Sequence, residues 1–141
     1  MKISRRKNFA HHVRHCAFAC GFFLLGCGPS EIKPVEIYPE DMCSQCRMAV
    51  SDHAFASEIV TATGEVFKFD DLGCLNGFKA KTPDLDIAAT FVKDFETKHW
   101  LPLERSTILK TGISTPMGSG LVAFADSVQA QEYLKKFPVH E

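Results

Sequence analysis

The chain has 141 residues, with 16 Lys and Arg against 17 Asp and Glu. That length allows one domain with a modest core. Five of the cations and none of the acids precede residue 27, so residues 27–141 carry a net charge near −6, which argues against nucleic acid as a partner, because nucleic acid selects basic surfaces.

Residues 1–26 read as a bacterial lipoprotein signal. A basic stretch over residues 2–14 precedes an apolar run over residues 16–25. That run is well short of the roughly 20 residues a membrane-spanning helix needs. It closes on Leu24-Leu25-Gly26-Cys27, the order of a lipobox. Cleavage is expected before Cys27, with lipid on its thiol, leaving 115 residues. His11, His12 and His15 leave with the signal. Besides Cys27, the cysteines left are Cys43, Cys46 and Cys74. An oxidising compartment tends to pair thiols, so an odd number suggests one kept for chemistry or buried and inert.

Residues 27–40 form the lipidated Cys and an acidic tether punctuated by Pro29, Pro34 and Pro39; the folded domain is expected over residues 41–141. Residues 55–63 are rich in β-branched side chains, Thr63-Gly64 is a turn signal, and residues 65–69 alternate strictly, which predicts a β-hairpin. Asp70 and Asp71 read as caps for a helix over residues 72–81, stopped before Pro83. Residues 89–95, 106–111 and 121–125 read as strands, with a loop over 112–120. Asp126 caps a last helix, with Gln129 as its capping-box partner and an apolar stripe of Val128, Tyr133, Leu134 and Phe137. Each half offers a methionine, then a strand, a capping Asp and a helix. The expected fold is a single α+β domain with a mainly antiparallel sheet and two ββα-type halves.

Cys43-Ser44-Gln45-Cys46 admits four readings. A thioredoxin-like redox pair wants the motif at a helix start after a strand, whereas here it follows the tether. A closed zinc site wants four ligands, for which Cys43, Cys46, Cys74 and His53 are available. A structural disulfide could join Cys43 to Cys46, or either to Cys74. A copper site uses soft sulfur donors, which favour Cu(I); Met42 and Met48 flank the thiols, and His53 is a possible further donor. Met117 sits in Thr115-Pro116-Met117-Gly118-Ser119-Gly120, off any amphipathic element, unlike a core-filling methionine. Cys74 reads as a buried inert thiol on the first helix, Trp100 as a core residue, His99 as solvent-facing, and His140 as without a role. No Ser-His-Asp order, phosphate-binding glycine loop or paired acid and base points to an enzyme.

Residues 41–48 (Asp-Met-Cys-Ser-Gln-Cys-Arg-Met), Phe67-Lys68-Phe69-Asp70-Asp71, and Pro116-Met117-Gly118 ahead of Leu121-Val122-Ala123-Phe124 together resemble the NosL family, from residue 41 to the C terminus. That resemblance implies a periplasmic lipoprotein, not an enzyme, that carries copper during assembly of the copper centres of nitrous oxide reductase. It implies two ββα-containing halves resembling the organomercurial lyase core. It implies Cu(I) held first by Cys46 and Met117, then by Met48 and Cys43. The implied partners are a copper acceptor (nitrous oxide reductase or its assembly factors) and the membrane, through the anchor at Cys27. Gly28 after Cys27 differs from the Asp that favours inner-membrane retention, so the outer membrane is expected. The chain departs from the family at Arg47, where glycine is common and would permit unusual backbone angles.

Overall fold

The computed structural model describes residues 31–139. The expected signal, Cys27 and His140 lie outside the described residues.

The predicted hairpin forms. β1 (Ser57–Thr61) and β2 (Val66–Phe69) pair antiparallel, and the chain reverses through Gly64 at φ +86°. β1 is buried at every position because it is central, flanked by β2 and by β3 (Ile87–Lys93). β4 (Trp100–Pro102) pairs with β3 and completes a four-stranded antiparallel sheet in the order β2-β1-β3-β4. This strand was not expected. Three residues carry too little alternation to register, and pairing with β3 alone defines them. A short 3-10 turn, Leu103–Arg105, follows it. β5 (Thr107–Lys110) and β6 (Leu121–Phe124) form a separate antiparallel pair.

Both helices start where a side-chain cap supplies an acceptor for free backbone N–H groups. α1 (Leu72–Lys81) begins after Asp71, whose carboxylate accepts from Gly73 N at 2.6 Å. It ends at Thr82, whose Oγ1 donates to the Phe78 carbonyl, immediately before Pro83. α2 (Ser127–Lys136) begins after Asp126, which accepts from both Val128 N and Gln129 N. The element order therefore repeats: β1-β2-α1 in the first half, β5-β6-α2 in the second.

The apolar residues form two clusters, and each draws on both halves, since Ala123 of β6 joins the first and Phe55 ahead of β1 joins the second. Ile59, Phe69, Leu72 and Leu75 anchor one cluster, together with Cys43 and Cys74. Phe55, Val122, Phe124 and Ala130 anchor the other, against which Phe95 and Tyr133 pack. Ile37 is already buried in the first cluster, and Val35 N donates to Glu58 Oε1. Chain upstream of Asp41 thus lies on the sheet. The stripe expected on α2 is corrected at one end: Val128 is 68% exposed, and Ala130 is the residue that turns inward. Burying Ala costs no side-chain entropy, and a methyl group fits where the helix lies close to Phe124.

Candidate metal centre

The Cys43 loop is a tight reversal held by its own backbone. Met42 and Ala49 form a β-bridge, Cys43 N donates to the Met48 carbonyl at 2.7 Å, and Arg47 N donates to the Cys43 carbonyl at 3.0 Å. Closing it requires Arg47 at φ +67°, a left-handed conformation that costs a non-glycine residue about 1–2 kcal/mol. This is the position where a glycine would be at ease, so arginine keeps the backbone geometry at the expense of strain. Its side chain points to solvent. Ser44 N then donates to the Lys68 carbonyl at 2.8 Å, and Lys68 Nζ pairs with Asp41 Oδ2 at 2.5 Å. These two contacts fasten the loop beside the end of β2, next to Asp70 and the first turn of α1.

One ligand atom from each of Cys43, Cys46, Asp70 and Cys74 comes together, all within 4.8 Å of one another. All three cysteines are free thiols. Cys43 and Cys74 are buried, whereas Cys46 is partly exposed. Cys46 Sγ lies 3.7 and 3.6 Å from the two Asp70 oxygens. Burial pushes the Cys46 thiol above its ordinary pKa; the Met48 backbone opposes this, and Cys43 and Asp70 add to it. Cys74 is pushed far higher, by burial first and then by Cys43 and Asp70. Cys46 and Cys74 must therefore each give up a proton to bind a metal, and a cation supplies the compensating charge.

The Met117 loop reaches the same place through Asp71. Besides capping α1, the Asp71 carboxylate accepts from Thr115 Oγ1 at 2.6 Å and from Met117 N at 3.0 Å. Burial would raise its pKa, but donors from Ser119, Thr115, Gly73 and Met117 hold it below the usual carboxylate range. Gly73 permits the approach: a Cβ there would sit 2.8 Å from Ser119 Cβ. The result is an open pocket of ≈ 340 Å³ lined by Gln45, Cys46, Gly73, Cys74, Met117 and Ser119.

The structure thus brings Met117, Cys46 and Cys43 into one neighbourhood. Met48 and His53 are exposed and do not line the pocket, and His53 is not among the clustered ligand atoms. Two expectations are corrected. Asp70 is not a cap, since Asp71 alone fills that role, and its carboxylate belongs to the thiol cluster. Cys74 is buried as expected but is not isolated, because it faces the other two thiols. A sequence signal existed for both: Asp70 and Cys74 flank the cap of a helix that starts immediately after a strand, where the hairpin end and the helix start must meet.

The NosL family model matches residues 34–137. The chain belongs to the NosL family. No curated protein matches the chain. Among solved structures, the crystal structure of the copper chaperone NosL from Shewanella denitrificans is similar: 16% sequence identity, TM-score 0.68, covering 80% of this chain and 92% of that one. At that identity the likeness is one of fold, and it supports the α+β architecture of this NosL member. No helix among the described residues is long and apolar enough to cross a membrane.

Proposed function

We propose that this NosL protein is a periplasmic, lipid-anchored Cu(I) carrier, not an enzyme, which delivers copper to an extracytoplasmic copper enzyme. Nitrous oxide reductase or one of its assembly factors is the proposed acceptor. The observation that supports this most directly is a thiol and a thioether, Cys46 and Met117, lining one open pocket with further thiols behind them. Soft, polarizable donors in a low-coordinate arrangement suit Cu(I). The thioether has little attraction for zinc, which a closed four-ligand site would serve better. A redox pair wants its first thiol at a helix N-terminus, whereas the Cys43 loop is a tight reversal outside any helix.

Transfer would proceed by ligand exchange. Cys46 and Met117 present the ion at the pocket mouth, and an acceptor thiolate, thioether or imidazole replaces one donor at a time. Met48 and Cys43 are the next donors proposed, and His53 a further one. The acidic mature chain would steer a basic acceptor. The lipobox would place lipid on Cys27, and Gly28 favours the outer membrane over the inner. One acyl chain binds a membrane only marginally, so the several chains of a processed lipoprotein are needed.

Titrating the detergent-solubilised protein with Cu(I) tests this reading. One equivalent should bind, Cys46→Ser should abolish uptake, and Met117→Leu should slow uptake and delivery. Failure of the wild type to bind Cu(I) would end it.

A further inference from the structure

Cys74 has no place in the carrier described so far, yet it is one of the three thiols that meet. It is contributed by the first turn of α1, it is buried, and it lines the same pocket as Cys46 and Met117. Its sulfur lies within 4.8 Å of the ligand atoms of Cys43 and Cys46. Cys46 is therefore shared. On its outer side is Met117, 45% exposed; on its inner side are Cys43 and Cys74, at 0% and 5%.

We propose that the centre has two positions and that Cys74 is the holding ligand of the inner one. This rests on the carrier reading above and specifies how such a carrier retains its cargo. At the outer position, Cu(I) is bound by the Cys46 thiolate and the Met117 thioether, open to an acceptor. At the inner position, it is bound by Cys46 and by the buried Cys74 and Cys43, deeper than at the outer one. In the inward step the bond from copper to the Met117 sulfur breaks as bonds to the Cys74 and Cys43 sulfurs form. The protons of both thiols pass to water, the bond to Cys46 is kept, and copper remains Cu(I), so no electron moves. Asp70 stays outside the copper shell, since a hard carboxylate oxygen is a poor donor to a soft ion.

The geometry explains why retention and delivery do not conflict. A thiolate binds Cu(I) more tightly than a thioether, and a buried one is shielded from competing ligands. A carrier with the outer pair alone would lose copper to any passing thiol. One with the inner group alone would present no open position for exchange. Sharing Cys46 lets the ion shift between the two positions without leaving the protein.

The test uses the full-length, detergent-solubilised protein with selenomethionine in place of methionine, loaded anaerobically with one equivalent of Cu(I). X-ray absorption at the copper edge separates selenium from sulfur neighbours. The wild type at rest should show sulfur neighbours and no copper–selenium contact. Cys74→Ser should show a copper–selenium contact and release copper to a Cu(I) chelator at least tenfold faster. A full-occupancy copper–selenium contact in the resting wild type would overturn the proposal while leaving the carrier reading intact. So would release from folded Cys74→Ser within twofold of wild type. Should Cys74→Ser not fold, the wild-type spectrum decides alone. A wild type that takes up no Cu(I) removes both readings together.

Discussion

Asp71 Oδ2 accepts the backbone N–H of Met117 at 3.0 Å across 46 residues of chain. The same carboxylate caps α1 and takes the Thr115 hydroxyl. One buried anion thereby joins the helix carrying Cys74 to the loop carrying Met117. Removing it strands several donors at once. Asp71→Ala should lower stability by about 2–4 kcal/mol, combining a lost cap with lost charge-assisted hydrogen bonds. Urea denaturation measures this. Cu(I) uptake should slow in the folded fraction, and unchanged uptake would show that the Met117 loop does not depend on Asp71.

The same group sets an acid limit. Its folded pKa is below the unfolded carboxylate value. The stability it contributes is therefore complete above about pH 4, the unfolded value, and is lost as pH falls through the depressed folded value. Thermal melts should decline steeply below pH 4 in the wild type and less steeply in Asp71→Ala. Parallel pH profiles for the two would refute the assignment.

Glu58 works in the opposite sense. It is fully buried in β1, and its Oε2 has no hydrogen-bond partner. Burial raises its pKa to about 7, while Val35 N–H, Lys68 and Lys93 oppose the rise and Glu36 adds to it. The folded state thus binds more protons than the unfolded state between about pH 4.3 and 7. Stability from this residue is complete below that window and is lost as pH rises through it. Glu58→Gln should raise stability by about 1–3 kcal/mol at pH 8 and have little effect at pH 4. An equal effect at both pH values would exclude burial of the charge as the cause.

Gly73 allows α1 and the Met117 loop to touch. In Gly73→Ala the added methyl would meet Ser119 Cβ at 2.8 Å, backed by Asp71 Oδ1 at 3.0 Å. The loop must shift outward, at a cost of about 1–3 kcal/mol for overpacking. Copper loading should slow, and a crystal structure of the variant should show Met117 displaced from the pocket. Wild-type stability together with wild-type loading would show that the contact yields without consequence.

Arg47 holds a left-handed backbone with no side-chain contact that requires arginine. Arg47→Gly should therefore stabilise the protein by about 0.5–1 kcal/mol, the strain relieved less the greater unfolded freedom of glycine. Copper stoichiometry should stay the same. Destabilisation on substitution would mean that the arginine side chain makes a contact stronger than the strain it imposes.

The boundaries of α1 could be read directly from the sequence, because capping and termination are local: Asp71 sits one residue before the helix and Pro83 two residues after it. The hairpin was equally legible, since strand alternation and a Thr-Gly turn lie within fifteen residues of one another. β4 was not, because Trp100, Leu101 and Pro102 become a strand only by pairing with Lys93, Val92 and Phe91. Val128 was misplaced for a related reason: periodicity identifies a helix face but not which of its residues a neighbouring element will cover.

From the order of residues alone came the sulfur-rich motif, the two capped helices and the isolated Met117, since each depends on neighbours a few positions away. The meeting of Cys43, Cys46, Asp70 and Cys74 was decided only by the folded chain. That meeting depends on Ser44 binding the end of β2, and the arrival of Met117 beside it depends on Asp71 drawing in a loop 46 residues downstream. Such contacts form between groups remote in sequence, so no local pattern encodes them.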